Sequence, residues 1–342
     1  MRPLLVRAAR RLAWALFVVW ATVTLAFMVS HALPSDPARM VAGPQARPQD
    51  IARIRKELGL DQSLYVQYTR FMGRLVHVAP SSTGTDGDVA KEHATCAPLV
   101  GRLHLDLGKS AQQRRPVVTI LADRLPRTVL LAVAAAFIQV LLGVGAGVLA
   151  AARKKSWVDH LAVSGSLLGI SAPTFVIGLS FQWLFAHRLG VLPLDGLGDS
   201  TLDHLRSVIL PALTLGVFGA AYYTRLVRDE MIGQLGQDYV RTARAKGLSR
   251  TAVVVRHALR NALMPIVTIV GVDVGTLVGG AIVTETIFRW PGIGSLAVTA
   301  MLDRDGPVIM GCVLVTSVAV VLSTIAVDAV YTLLDPRVRA VR

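Results

Sequence analysis

Six long apolar runs constrain this chain more than any other feature of its sequence. An α-helix rises about 1.5 Å per residue, so roughly 20 apolar residues are enough to cross a bilayer. The runs occupy residues 12–33, 128–152, 161–186, 208–224, 262–283 and 307–334. The pattern predicts an all-α polytopic membrane protein with six transmembrane helices.

Positive charge collects at the two ends of the chain and in short segments between the runs. The basic residues that flank the first and last runs are Arg2, Arg7, Arg10, Arg11, Arg337, Arg339 and Arg342. Because short cytoplasmic segments are rich in Lys and Arg, both termini are predicted to be cytoplasmic. A cleaved signal peptide has a similar layout, but the first run is long enough to span, which favours an uncleaved helix.

The composition excludes an ordinary soluble protein. Hydrophobic residues make up 53% of the chain and charged residues 17%, and the formal net charge is +14. Such a positive charge could indicate nucleic-acid binding. Here the basic residues lie between apolar runs, and neither an RNA-binding motif nor zinc-finger spacing is present, so we predict contact with membrane lipid and not with nucleic acid.

Residues 34–125 differ from the rest of the chain and are predicted to form an extracytoplasmic domain. One helical pattern ends at Gly59, a second carries Tyr68 and Phe71, and residues 81–88 are typical of a flexible loop. The predicted organisation has three parts: the N-terminus and first helix at 1–33, the extracytoplasmic domain at 34–125, and a five-helix core at 126–342 with a cytoplasmic loop at 229–262.

Small residues and a proline modify two of the predicted spans. Gly143, Gly145 and Gly147 lie in the second span and predict close contact with another helix. Pro173 interrupts the third span, where the loss of a backbone hydrogen bond predicts a kink.

No catalytic or metal-binding constellation is evident in the sequence. A Gly-Lys-Ser sequence at 108–110 resembles a phosphate loop, but Leu103 stands where that motif requires glycine. Cys96 and Cys312 have no metal-type partner spacing, and Cys96 is interpreted as an incidental or free thiol. The chain is therefore predicted to be no enzyme, to have no catalytic or metal site, and to bind no cofactor itself.

Two carboxylates lie within predicted spans. Asp273 is in the fifth and Asp328 in the sixth. An ionisable group at membrane depth is costly and usually faces a cavity or a partner. Asp273 has two open interpretations, a polar pathway or a hydrogen bond between helices, and Asp328 is expected to pair with a nearby basic residue.

The segment 285–294 (ETIFRWPGIG) follows the fifth span. Phe288 and Trp290 suit an interfacial anchor, and Pro291-Gly292 predicts a turn. The segment is either a simple turn back into the membrane or a re-entrant element that narrows the outer mouth of a pathway, with Glu285 at its start.

Residues 238–265 (DYVRTARAKGLSRTAVVVRHALRNALMP) are predicted to form a helix, a glycine break and a second helix on the cytoplasmic side. Gly247 suits the left-handed residue that ends a helix, and Ser249 suits the cap of the next one. Ala243, Ala245 and Gly247 are small enough to let a partner approach the backbone closely. The alternative interpretation is a solvated basic loop that obeys the positive-inside rule.

The same stretch resembles the cytoplasmic loop of membrane permeases of ABC importers, in the dipeptide/oligopeptide/nickel group. Where the wider family has Glu-Ala-Ala, three residues and Gly, this chain has Arg241, Thr242, Ala243 and Gly247, as in the peptide-type subgroup. Further resemblances follow in the same order as in the family: Leu58-Gly59-Leu60-Asp61 with Tyr68, Asp106-Leu107-Gly108 with Ser110, His257 to Ala262 with Pro265, Glu285 to Phe288, Pro291 to Gly294, and Asp335-Pro336-Arg337. The polar insertion at 76–102 is longer than the family pattern.

The resemblance implies a type I ABC importer permease in a bacterial-type inner membrane, and it implies a mechanism. A coupling helix would dock into a separate ATPase subunit through Asp238, Tyr239, Arg241, Thr242, Ala243, Arg244, Ala245, Lys246 and Gly247. The implied partners are a second homologous permease, two ATPase subunits that bind ATP and Mg, and an extracytoplasmic solute-binding protein. The candidate pathway or gate residues are Asp273, Glu285, Phe288, Pro291 and Gly292.

Di- or oligopeptides are the substrates that the resemblance implies, and three alternatives stay open. Nickel or a nickel chelate is the alternative within the family, although the spans are poor in His and Cys. A secondary transporter or channel would more often show internal repeats and broken helices around a midplane site. A membrane enzyme is the weakest alternative because the chain lacks a catalytic set.

Overall fold

A computed structural model of the chain describes residues 2–32, 38, 42, 43, 45–57, 59–78, 95–100, 103–198 and 200–334. Several sequence predictions fall outside these residues. They concern the loop at 81–88, most of the insertion at 76–102 and the segment 335–337, and the side chain of Asp328 also lies outside the description.

The described residues form thirteen named helices, three short strands and two π-helical segments. The helices are α1 (Arg2–Ala32), α2 (Pro48–Glu57), α3 (Leu64–Leu75), α4 (Val117–Ala152), α5 (Trp157–Ser171), α6 (Thr174–Phe181), α7 (Thr201–Leu235), α8 (Asp238–Ala245), α9 (Arg250–Ala252), α10 (Arg260–Gly280), α11 (Ile282–Ile287), α12 (Ile293–Leu302) and α13 (Gly306–Leu334). The strands are β1 (Val76–Val78), β2 (Cys96–Val100) and β3 (Leu103–Asp106), and the π-helical segments are Gln182–Arg188 and Val253–Leu259.

Within the described residues, five helices are long and apolar enough to cross a membrane. They are Ala9–Val29, Val117–Ala152, Leu202–Leu235, Arg250–Gly279 and Gly306–Val327. The third predicted span is a bent pair, Trp157–Ser171 and Thr174–Arg188, with 102° between its halves. Counted as one span, the pair brings the number to six, which is the number that the sequence predicts.

The bend in the third span is sharper than the predicted kink. Ala172 has an extended backbone, with φ −78° and ψ 126°, and Pro173 begins the next helix at φ −58°. A residue before proline is pushed out of the helical region by the proline ring. One helix therefore ends at Ser171 and a new one starts at Thr174.

The chain divides into two compact units, Met1–Pro126 with Leu296–Val318 and Arg127–Ser295 with Ala319–Arg342. The sequence-based division places a boundary near the same point, at 125/126. It separates α1 from the extracytoplasmic domain, however, whereas the first unit takes in both α1 and Leu296–Val318.

In the first unit, α1 packs against α3 and a polar contact joins distant parts of the chain. Phe27 stacks on Phe71 with 5.4 Å between ring centroids, and the hydroxyls of Thr24 and Tyr68 lie 2.8 Å apart. The buried Ser110 hydroxyl donates to a carboxylate oxygen of Asp305. Aromatic packing and a satisfied buried hydroxyl both stabilise the unit.

The first unit also contains a three-stranded antiparallel sheet in the order β1-β3-β2, which the sequence analysis does not predict. The sheet brings His77, Cys96 and His104 together, although their spacing in the sequence indicates no cluster.

Arg74 at the end of α3 pairs with Asp106 at 2.8 Å. Partial burial by itself would raise the pKa of the Asp106 carboxyl, but hydrogen bonds from Arg74 and the Gly108 amide hold this pKa below its usual value.

In the second unit, two of the three predicted glycines allow α4 to approach α7. A Cβ atom at Gly143 would lie 2.4 Å from the Cβ of Tyr223, and one at Gly147 would lie 2.7 Å from the Cβ of Val227. The prediction of close contact is confirmed at these two positions. At Gly145 a Cβ atom would meet no heavy atom within 4 Å.

We expect Gly147→Leu to destabilise the protein strongly and Gly145→Leu to leave it near wild type. The added side chain at Gly147 has to push α4 away from Val227 and Thr224, which costs about 1–3 kcal/mol or more. The same side chain at Gly145 enters open space on the same helix. The measurement is the melting temperature in detergent by size-exclusion chromatography, and equal losses for both variants would contradict the packing.

Candidate functional site

The helix α8 is the centre of the candidate site and follows α7 after two residues. Asp238 lies in its first turn, where a negative charge favours a helix N-terminus. The Tyr239 hydroxyl donates to the side-chain carbonyl of Gln234 at 2.8 Å, and the Thr242 hydroxyl donates to the Asp238 carbonyl at 3.0 Å. These contacts join α8 to the end of α7 and hold its first turn.

The inner face of α8 is apolar and buried. Val240 is 0% exposed and Ala243 is 5% exposed, and both pack with Val253 and Leu235. Ala243 thus differs from the prediction that it lets a partner approach. Its small side chain allows α8 to lie close to the π-helical segment Val253–Leu259 instead.

The outer face of α8 is exposed and strongly basic. Every other predicted coupling residue is exposed: Asp238, Tyr239, Arg241, Thr242, Arg244, Ala245, Lys246 and Gly247. The Asp238–Arg241 contact is 3.4 Å long and open to solvent, so it contributes little stability. We call these eight residues the α8 surface.

The turn after α8 confirms the predicted chemistry of its two key residues. Gly247 has φ +78°, and its amide donates to the Arg244 carbonyl at 2.9 Å. The Ser249 hydroxyl accepts from the Ala252 amide at 3.3 Å, which caps the next helical segment. A left-handed glycine followed by a serine cap reverses the chain without a strained backbone.

The π-helical segment Val253–Leu259 links α8 to the interior of the second unit. Val253 packs against α8, while Val254 and Ala258 belong to a core cluster with Val227 and Met231 of α7. π-helical turns are rare and often occur at functional sites. Packed side chains of this segment therefore connect α8 with α7.

A buried ion pair near this region is missing from the sequence-based set of site residues. The Asp159 carboxylate accepts from Nε of Arg228 at 2.5 Å and from its Nη2 at 3.0 Å. It also accepts from the Lys155 amide at 2.8 Å. The sequence did contain a signal for this pair: Asp159 is the third residue of the apolar helix α5, just after the basic turn at 153–155.

Asp273 lies in a polar cluster between three helices. Its carboxylate accepts from the Gln139 amide nitrogen of α4 at 2.5 Å and from the Tyr223 hydroxyl of α7 at 3.3 Å. Gln139 and Tyr223 are each 1% exposed, whereas Asp273 is half-buried. Of the two interpretations of Asp273, these contacts match the hydrogen bond between helices.

Glu285 is fully buried and organises the turn between α11 and α12. Its carboxylate accepts from the Thr128 hydroxyl at 2.9 Å and from the Ser295 amide at 2.8 Å. A Cβ atom at Gly292 would lie 2.2 Å from a Glu285 oxygen, so only glycine fits there. Glu285, one of the predicted pathway or gate residues, therefore packs inside this chain.

The aromatic residues of the same turn are also buried. Phe288 is 2% exposed and Trp290 is 0% exposed, and the Trp290 ring nitrogen donates to the Arg127 carbonyl at 3.1 Å. The prediction that they are interfacial anchors is wrong, because both rings fill the protein interior. Pro291 is half-buried and Gly292 is buried.

Comparison with known proteins places this geometry in a family. Residues 143–340 match the binding-protein-dependent transport system inner membrane component, and residues 4–132 match the N-terminal part of such membrane components. The glutathione transport system permease protein GsiC of Salmonella paratyphi A is 39% identical over 315 residues, which are 92% of each chain. The dipeptide transport system permease protein DppB of Alkalihalophilus pseudofirmus is 34% identical over 359 residues, covering 98% of this chain and 100% of the relative.

A solved structure shares the fold. The match is to a structure of the MetNI methionine ABC transporter in inward-facing conformations, with a TM-score of 0.53 and 18% identity. It covers 64% of this chain and 98% of the matched chain. This fold and the sequence matches over nearly the whole length agree. The chain therefore belongs to the family of binding-protein-dependent transport system inner membrane components and is the permease subunit of an ABC importer.

Proposed function

We propose that this permease carries di- or oligopeptides and that the α8 surface couples it to separate ATPase subunits. The substrate class rests on the relatives, which are named for dipeptides and for glutathione, itself a short peptide. Nickel or a nickel chelate has no support from these relatives. The family assignment replaces the secondary transporter, channel and enzyme alternatives.

The observation that carries the coupling proposal is the two-sided character of α8. On its inner face, Val240 and Ala243 pack against Val253 of the π-helical segment. On its outer face, the residues of the α8 surface are exposed. Arg241, Arg244 and Lys246 make that outer face basic. A rigid, basic helix suits a groove with acidic residues on a partner subunit.

The proposed partner set is the one that the family implies. A second, homologous permease completes the pathway, two ATPase subunits bind ATP and Mg, and a solute-binding protein delivers the peptide on the opposite side. In this topology α8 and both termini are cytoplasmic, and residues 34–125 are extracytoplasmic. The excess of Lys and Arg in the short segments on the α8 side supports this orientation.

The candidate pathway residues have different roles in this proposal. Asp273, which is half-buried, holds α4, α7 and α10 together and keeps one edge accessible to a polar pathway. Glu285, Phe288 and Gly292 support the turn before α12 from inside. Pro291, which is half-buried, stays a candidate for contact with a second permease in this proposal.

Uptake by proteoliposomes tests the substrate class. The complete complex of permeases, ATPases and binding protein is reconstituted, and accumulation of labelled di-, tri- and oligopeptides is compared with that of Ni²⁺ and a nickel chelate. We expect ATP-dependent accumulation of at least one peptide class and none of nickel. Nickel uptake without peptide uptake would contradict the proposal, and a complex that lacks ATP is the control.

A further inference from the structure

Three residues with metal-ligating side chains meet on one face of the small sheet. His77 lies on β1, Cys96 on β2 and His104 on β3. The register pairs His77 with His104, and it pairs Cys96 with Asp106, two residues beyond His104. Because residues two apart on a strand share a face, all three side chains point to the same side.

The distances between the ligand atoms suit one metal ion. All three ligand atoms lie within 4.8 Å of one another, and the Cys96 sulfur is 3.5 Å from Nε2 of His77. A tetrahedral Zn²⁺ with bonds of about 2.0–2.1 Å to nitrogen and about 2.3 Å to sulfur separates these two atoms by about 3.6 Å. The observed nitrogen–sulfur distance, which is also that of a thiol–imidazole hydrogen bond, therefore matches the separation that a shared ion requires.

A second contact orients one of the imidazole rings as a ligand. Nδ1 of His77 lies 3.0 Å from the Arg74 carbonyl, a distance at which it donates a hydrogen bond. This tautomer leaves a lone pair on Nε2, the atom that faces Cys96. Metal-binding histidines nearly always donate their other ring N–H to a carbonyl or carboxylate in this way.

We propose that His77, Cys96 and His104 form a binding site for a thiophilic divalent transition-metal ion, of which Zn²⁺ fits the site best. A thiolate and two imidazoles select Zn²⁺ and its neighbours over Mg²⁺ and Ca²⁺, which prefer oxygen ligands. The ion would join β1 to β2 and β3, which are adjacent in the sequence and follow β1 after residues 79–95. The inference does not depend on the proposed transport substrate.

The carboxylate of Asp106 lies next to this site but is bonded to other groups. Asp106 accepts from Arg74 at 2.8 Å and from the Gly108 amide at 2.8 Å, so its charge is already balanced. Among the described residues the sheet thus supplies three ligands, and a tetrahedral ion has one further coordination position. All three ligand residues are half-buried, which gives an ion access from solvent.

Cobalt binding tests the site directly. The full-length chain, purified with an affinity tag that lacks histidine, is titrated with Co²⁺ and followed by thiolate-to-cobalt charge-transfer absorption. We expect about one equivalent in the wild type and in Cys312→Ser, displacement by Zn²⁺, and loss of the band in Cys96→Ser. His187→Ala, which removes an exposed histidine elsewhere, should bind like wild type. Absence of the band in the wild type, or its persistence in Cys96→Ser, would overturn the proposal.

A second measurement keeps the thiol in place. The rate of Cys96 alkylation is measured with and without Zn²⁺ in Cys312→Ser and in Cys312→Ser combined with His104→Gln. We expect Zn²⁺ to slow alkylation of Cys96 in Cys312→Ser. In the double variant with His104→Gln, we expect the apparent affinity for Zn²⁺ to fall further than the roughly 10- to 100-fold that loss of an outer-shell contact costs. Equal alkylation rates with and without Zn²⁺ in the first protein would show that no ion binds there.

Discussion

Gly247→Asp is expected to abolish the stimulation of ATP hydrolysis by the binding protein, whereas Gly247→Asn is expected to retain most of it. Gly247 is exposed at φ +78°, and a Cβ atom there would meet no heavy atom within 4 Å. Asn and Asp both tolerate this left-handed conformation better than other side chains, so the two variants keep a similar turn. They have nearly the same shape and differ in one negative charge.

The charge has a large expected effect because of where it falls on the α8 surface. Arg241, Arg244 and Lys246 make this surface basic, so we expect acidic residues on the ATPase groove that receives it. A carboxylate at Gly247 would meet like charge there. A loss of about 1.4 kcal/mol in docking free energy already weakens the association tenfold.

The measurement for Gly247 is ATPase activity of the reconstituted complex with and without loaded binding protein, together with the amount of ATPase subunit that co-purifies. Gly190→Asp is the matched control, because Gly190 also has positive φ (+63°) and open space around it but lies in a different loop. We expect Gly190→Asp to behave like wild type. If Gly247→Asp hydrolyses ATP with full stimulation, the α8 surface is a solvated basic loop and the coupling proposal fails.

Local chemistry explains which parts of this region were predictable. A left-handed Gly247 and a capping Ser249 follow from the conformational freedom of glycine and the acceptor of a serine hydroxyl, and the structure has both. The spans were predictable for the same kind of reason, since length and apolarity alone select them. These features depend on nearby residues and on the membrane, not on the tertiary fold.

The features that sequence reasoning missed depend on tertiary contacts. The sequence predicts that Ala243 lets a partner approach, because helical spacing does not say which side of α8 faces Val253. Phe288 and Trp290 have the amphipathic character of interfacial anchors, but the turn around Glu285 folds them inward. The small sheet has strands of three to five residues, which are too short for a clear alternating pattern.

Arg228→Met is expected to destabilise the protein by about 3–5 kcal/mol, more than Asp159→Leu, because it leaves a buried carboxylate without its counterion. The Asp159 side chain is 4% exposed and would keep only the Lys155 amide as a donor. The Arg228 side chain is 21% exposed and also pairs with Asp229 at 2.9 Å, so it retains a partner when Asp159 is replaced. The cost of breaking the pair is thus unequal for its two members.

The double variant Arg228→Met/Asp159→Leu is expected to recover much of the lost stability, because it removes both charges and leaves two apolar side chains of similar size. Residues in direct contact usually show interaction energies of about 0.5–3 kcal/mol in such a cycle. The measurement is the melting temperature in detergent of the four proteins, with Arg225→Met on the exposed side of α7 as a control expected within about 0.5 kcal/mol of wild type. If Arg228→Met unfolds no earlier than Arg225→Met, the pair contributes nothing to holding α5 against α7.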